Sequence, residues 1–140
     1  MMGDSHWEHF EHKADIGVRG YGSTMAEAFE QAALAMTSVI TDLSLVEPLV
    51  SISIECRDDD DDALLFDWLN ALIYEMATRK MLFCSYEVTI ADGRLDARVA
   101  GEAIDIDRHQ PSVEIKGATY TELAVTKKDR HWLAQCVIDV

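Results

Sequence analysis

Two stretches of this chain repeat apolar residues at three- and four-residue steps, and each stripe needs a surface to bury against. In the first, Met25, Ala28, Phe29, Ala32, Ala33, Met36, Val39 and Ile40 follow the spacing of one helical face. Ser23-Thr24-Met25-Ala26-Glu27 has the form of a capping box, with Thr24 as N-cap and Glu27 reaching back to the N–H of the cap. This helix is expected to end near Thr41-Asp42, ahead of the breaker at Pro48. The second stripe, Leu64, Leu65, Trp68, Leu69, Leu72, Ile73 and Met76, follows directly on the aspartate run Asp58 to Asp62. A calcium loop of the EF-hand kind would need glycine where Ala63 stands and glutamate where Leu69 stands. The aspartates are therefore read as the cap and dipole complement of the second helix.

The surface that those helices cover is expected to be a sheet. Val50 to Cys56 alternates, with Ile52, Ile54 and Cys56 opposite Ser51, Ser53 and Glu55. Leu82 to Ile90 is strand-like, Asp92-Gly93 marks a tight hairpin, and Leu95, Ala97 and Val99 alternate on the return. Gly101 to Pro111 is polar and is read as a loop, followed by two further strands, Val113 to Val125 and Trp132 to Val140. Near the start, residues 9–22 read as one extended segment. Period two puts Phe10, His12, Ala14, Ile16 and Val18 on a core face and Glu11, Lys13, Asp15, Gly17 and Arg19 on an ionic face. The order implies an α+β fold: a single domain over residues 1–140, with a largely antiparallel sheet and two amphipathic helices packed on one of its faces.

With 140 residues, 49% of them hydrophobic, the chain can bury a real core without staples. Its net charge of −14, from 26 acidic against 12 basic residues, argues against direct nucleic-acid binding; it would attract a cation or a basic protein surface, or serve solubility alone. No apolar stretch is long enough to cross a bilayer, so no membrane partner is expected. The scattered Cys56, Cys84 and Cys136 read as reduced core thiols of a cytoplasmic protein.

Phosphate loops, nucleophile elbows, HExxH and paired-cysteine motifs are all missing. The spacing His6-x-x-His9-x-x-His12 offers metal ligands, but on an extended segment His9 would face away from His6 and His12. These imidazoles are read as solvated or locally bonded. At the other end, Asp139 and the Val140 carboxylate finish a buried-strand pattern. If Asp15 lies beside them, three carboxylates converge and would either raise one another's pKa or hold a cation, which oxygen-only ligands select as a hard ion such as Ca²⁺ or Mg²⁺. A solvated terminus is the alternative.

Taken together, these residues resemble the archease family, accessory proteins of the RtcB-type GTP-dependent RNA ligase of tRNA splicing and RNA repair. The resemblance is carried by Phe10-Glu11-His12-Lys13-Ala14-Asp15-Ile16-Gly17 with Tyr21-Gly22, and by Ala26-Glu27-Ala28-Phe29. It continues through Asp42-Leu43 with Val46-Glu47-Pro48, Leu64-Leu65-Phe66-Asp67-Trp68-Leu69-Asn70, and Gly101-Glu102 with Asp105, Arg108 and His109. Lys116, Thr119-Tyr120, Glu122-Leu123 and the final Asp139-Val140 complete it. It implies an archease-like fold and a metal-binding activator rather than an enzyme, one that stimulates ligase guanylylation and repeated turnover. The family's acidic metal site maps onto Asp15, Asp139 and Val140, its late-strand lysine onto Lys116, and His12 and Glu122 match pattern positions. Lys13, Ile106, Gln110, Gly117 and Thr121 depart from the pattern, and Lys13 adjoins the acidic site in sequence.

Three functional classes follow. The first is the accessory protein holding Ca²⁺ or Mg²⁺ and binding a basic ligase. The second is a small metal-dependent hydrolase using the same carboxylates, with His12 or His109 as base. The third is a metal-free acidic interaction module.

Overall fold

The computed structural model describes residues 5–140. The alternating segment near the start folds back on itself: β1 (His6–His12) and β2 (Asp15–Gly22) pair antiparallel from His6↔Tyr21 to His12↔Asp15. Lys13 and Ala14 form the two-residue turn, Lys13 at φ 56°. This corrects the single extended segment expected above. The reversal changes the phase of the alternation, so Phe10 and His12 share a face with Asp15, Gly17 and Arg19. Trp7 and His9 lie on the other face, with Ile16 and Val18.

Both helices begin where their caps are. Thr24 accepts the Glu27 N–H at 3.1 Å and opens α1 (Met25–Ile40), while Glu27 reaches to Ser23, one residue beyond the expected cap, taking its N–H at 2.8 Å and its hydroxyl at 2.6 Å. Asp60 accepts the Ala63 N–H at 3.0 Å and opens α2 (Asp61–Arg79), with Asp61 and Asp62 in the first turn. That is the capping role read from the aspartate run.

Instead of one sheet, the strands form two, all pairs antiparallel. β3 (Val50–Arg57), β4 (Met81–Ala91) and β5 (Arg94–Ala103) make a three-stranded sheet in the order β3-β5-β4. Its hairpin turns on Asp92 and Gly93, both at positive φ (52° and 75°), as a tight Asp-Gly turn requires. A five-stranded sheet has the order β1-β2-β8-β6, with β6 (Gly117–Ala118) and β7 (Ala124–Lys128) both on one edge of β8 (His131–Asp139). The strand expected over 113–125 is thus two short pieces around a corner at 119–123. The loop expected over 101–111 is the end of β5 followed by a short helix, α3 (Ile106–His109).

Each helix touches both sheets, α1 against β2, β8 and β4, and α2 against β6, β7, β3 and β4. Their stripes meet in one core in which Phe29, Met36, Leu64, Leu65, Trp68, Leu72, Phe83, Leu95 and Ile138 are wholly buried. The Trp68 indole donates to the Phe29 carbonyl at 3.1 Å, so burying this large ring leaves no polar atom unpaired. All three cysteines are free; burial pushes the Cys56 and Cys136 thiols up to about 11, which makes them inert. No helix among the described residues is long and apolar enough to cross a membrane.

Candidate functional site

β2 and β8 run side by side in a register that ends with Ile16↔Ile138. One further step along each strand brings Asp15 opposite Asp139. Ile16, Val18, Cys136 and Ile138 point into the core, so period two directs Asp15 and Asp139 to the face of the sheet away from the helices. On the other side of β8, Gly117 pairs with Asp139 and the Lys116 N–H donates to the Asp139 carbonyl at 2.8 Å. On the other side of β2, His12 pairs with Asp15. His12, Asp15, Asp139 and Gly117 therefore form one row across the sheet, with the exposed Lys116 at its edge. Val140 packs partly buried against the core, which anchors the main chain that follows Asp139.

The row above it explains part of the local sequence. The Phe10 ring lies over Gly17, where an added Cβ would come within 2.2 Å of Phe10 Cζ, so a side chain at this position would displace the ring. The Arg19 guanidinium sits 4.4 Å from the same ring and pairs with Glu8 at 2.7 Å and Gln135 at 2.9 Å. Arg19 above all holds the Glu8 carboxyl below its usual range. Further up, Tyr21 donates to Glu8 at 3.0 Å and stacks on His6 at 4.4 Å. The middle of this face is thus neutralised and tied. At its end, the half-buried Asp15 and Asp139 carboxylates have no side-chain partner among the described residues.

Oxygen-only donors suit a hard cation, and adjacent carboxylates with no partner of their own fit one. Among the described residues, no three His, Cys, Asp or Glu side chains converge to hold a metal. Asp15 and Asp139 are the two carboxylate side chains that the strand register brings together at this end. The histidine triplet behaves as alternation requires. His9 turns to α1, where its Nε2 donates to the Ala35 carbonyl at 2.8 Å, while His6 and His12 sit at opposite ends of the other face. Glu122 is not brought to the acidic end: it stands in the 119–123 corner at φ 56°, and its carbonyl accepts from Gln135, four residues up β8 from Asp139.

The Archease protein family (MTH1598/TM1083) matches residues 7–140. The chain belongs to the archease family. It is 40% identical over 139 residues to protein archease of Thermococcus gammatolerans, covering 96% of this chain and 98% of that protein. Protein archease of Pyrococcus furiosus is equally similar, at 40% over 139 residues with the same coverage. The solution structure of Methanobacterium thermoautotrophicum protein 1598 superimposes with a TM-score of 0.80 at 32% identity, covering 96% of this chain and 98% of that one. A Thermotoga maritima crystal structure, described as an archease and possible chaperone, shares the fold with a TM-score of 0.58 at 16% identity, covering 95% of this chain and 96% of that one.

Two further stretches of the archease pattern meet at a second cluster that sequence reasoning did not assemble. Glu102, only 6% exposed near the end of β5, accepts the Glu47 N–H at 2.7 Å, His109 Nε2 at 3.1 Å and the Arg108 guanidinium. His109 is 1% exposed and its Nδ1 accepts the Asp105 N–H at 2.9 Å, so Nε2 carries the proton it donates to Glu102. Arg108 also donates to the Leu45 carbonyl at 2.8 Å, and the Thr41 hydroxyl to the His109 carbonyl. The Arg108 hydrogen bond, and next the Glu47 N–H, bring the Glu102 carboxyl down to about 2. This network clamps the segment after α1 to the end of β5. With both ring nitrogens bonded within the protein and the ring buried, His109 has no nitrogen free to act as a hydrolytic base. One sequence signal was available: Asp105 stands three residues before Arg108 and caps α3 by accepting its N–H at 3.2 Å.

Proposed function

We propose that this archease-family protein is a non-catalytic accessory protein of a GTP-dependent RtcB-type RNA ligase. In this reading the Asp15, Asp139 and Val140 carboxylates hold a divalent cation, Ca²⁺ or Mg²⁺, and the acidic end is offered to a basic surface of the ligase. The observation that carries it is the side-by-side position of Asp15 and Asp139, which come from opposite ends of the chain and have no side-chain partner among the described residues. Leaving two like charges so close is unfavourable unless something positive is bound between or against them.

The chain's own residues supply position rather than chemistry. β2 and β8 fix the two carboxylates, and the Lys116 N–H ties the end of β8 to the chain entering β6, so the last residues do not fray. A bound divalent cation would supply charge neutralisation at this end. The −14 net charge adds long-range attraction to a basic partner, which raises the encounter rate and weakens with salt. The ligase conformation competent for its own guanylylation is then the one that this end binds best.

The deciding experiment is multiple-turnover RNA ligation with limiting ligase, GTP and low divalent metal, with and without stoichiometric accessory protein. Stimulation that is abolished by Asp15→Asn supports the reading. No stimulation by the wild type would reject it. Metal-dependent turnover of phosphate esters by the isolated protein, lost in Asp15→Asn, would replace it with the hydrolase.

A further inference from the structure

Tyr120 is 74% exposed, yet its ring is not free to wander. It lies flat on Phe66 of α2, with centroids 4.3 Å apart and planes inclined by 8°. The corner that carries it is pinned on both sides. The Thr119 N–H and hydroxyl both donate to the Val137 carbonyl (3.0 and 2.8 Å), the Val137 N–H donates to the Thr121 carbonyl at 3.1 Å, and the Thr121 N–H donates to the Thr119 hydroxyl at 3.1 Å. Asn70, one turn after Phe66, accepts the Ala118 N–H at 3.0 Å and ties the same segment to α2. One face of the Tyr120 ring is therefore covered, and the other is held towards solvent with little conformational freedom left to lose on binding.

The helix beneath this ring is acidic through most of its length. No Lys or Arg occurs from Asp58 to Thr78, a stretch that contains the aspartate run, Asp67 next to Phe66, and Glu75. Glu122 follows Tyr120 by two residues. The electron-rich face of an aromatic ring set among carboxylates selects a cation. Of the two protein cations, a guanidinium stacks flat on the ring while its edge reaches carboxylates, which an ammonium cannot do. A nucleobase would stack equally well, but the acidic surround repels its phosphates. The corner that carries Tyr120 follows directly on Gly117 and Ala118, which pair with Asp139 and Ile138, but the ring itself lies on the helix side of the sheet, against α2.

We propose that the outward face of Tyr120, backed by Phe66, is the docking site for an arginine on the basic surface of the partner protein. This inference rests on the accessory function proposed above. It places a second contact on the helix side of the sheet, apart from the carboxylate row, one that confers affinity for the partner and takes no part in holding the cation.

The test compares wild type, Tyr120→Phe, Tyr120→Leu and Tyr120→Ala for binding to the purified ligase, to arginine and lysine peptides of equal length, and to single-stranded RNA. Melting temperatures are followed for each variant. Tyr120→Phe is expected to bind as the wild type does, because it keeps the ring. Tyr120→Ala and Tyr120→Leu are expected to weaken ligase binding roughly tenfold and to erase the preference for the arginine peptide. Tyr120→Leu keeps an apolar side chain on Phe66, so its loss of binding separates stacking from packing. Unchanged binding of both ligase and arginine peptide by Tyr120→Ala overturns the inference. So does a wild type that does not prefer arginine to lysine, or Tyr120-dependent binding of RNA. A wild type that fails to bind the ligase rejects the accessory function instead, while the peptide arms still read Tyr120.

Discussion

Glu102 and Asp139 both stand near the ends of β-strands, and their carboxylates have opposite surroundings. Glu102 is buried and accepts from Arg108, His109 and the Glu47 N–H. Asp139 is half-buried beside Asp15 on an open face and accepts nothing through its side chain among the described residues. A carboxylate whose acceptor positions are filled by the protein has no capacity left for a ligand, and its removal leaves donors stranded. One without partners contributes little to folding and keeps its oxygens for something outside the chain. Matching a family pattern does not separate these two roles, since both carboxylates lie in it; hydrogen-bond accounting does.

The largest expected effect breaks the first region. Glu102→Ala leaves Arg108, the His109 N–H and the Glu47 N–H without their acceptor inside a closed network. It should lower the melting temperature by more than any substitution at Asp15 or Asp139, with the segment after α1 and the end of β5 losing amide-exchange protection together. A fully stable Glu102→Ala protein would show that the cluster is not structural.

Next comes the pH dependence of the same group. The Glu102 carboxyl lies at about 2 in the folded protein, below its ordinary 4.5, so the unfolded chain takes up this proton more readily. The network's contribution is therefore complete above the ordinary value and is lost as pH falls from there towards about 2. Urea midpoints of wild type and Glu102→Gln, measured at neutral pH and then stepwise into acid, should converge across that window. Parallel curves would contradict the assignment.

These two regions were not equally legible in the sequence. Asp15 and Asp139 came together from strand alternation, the pattern match and the assumption that their strands are neighbours, because an apolar strand ending in acid is visible without side-chain detail. The two helices and the Asp92-Gly93 hairpin were legible because periodicity and turn chemistry are local. The Glu102 cluster was hidden for a physical reason: its polar residues satisfy one another across segments far apart in sequence, and a buried polar run looks like a solvated loop until its partners are known. The Lys13-Ala14 turn was missed because neither residue is a usual turn former, and Lys13 takes its positive φ without the help of glycine or asparagine.

The second region is broken more gently. Asp139→Asn should leave unfolding without metal within about 0.5 kcal/mol of the wild type, since no side-chain hydrogen bond or ion pair among the described residues is lost. The same substitution should weaken Ca²⁺ or Mg²⁺ binding by at least about tenfold, because hard cations follow ligand charge. Calorimetric titration of both proteins checks this. A large loss of stability with no change in cation binding would make Asp139 a structural residue like Glu102. One residue added after Val140 should act in the same direction and less strongly, because it converts the carboxylate into an amide whose carbonyl can still ligate, though without the charge.

The smallest expected effect sharpens what the carboxylate row is. His12 pairs with Asp15 and shares its face, so proximity alone would admit it as a ligand. Its imidazole nitrogen is nevertheless a poor donor for a hard ion, and no three ligating side chains converge at this end among the described residues. His12→Ala should therefore change Ca²⁺ or Mg²⁺ affinity by less than about twofold, while any Zn²⁺ binding, which does use imidazole, falls further. A loss of Ca²⁺ affinity as large as that of Asp15→Asn would mean that the ring reaches the ion. The row would then be a mixed nitrogen and oxygen site, and its contrast with the Glu102 cluster would rest on exposure rather than on spare carboxylate oxygens.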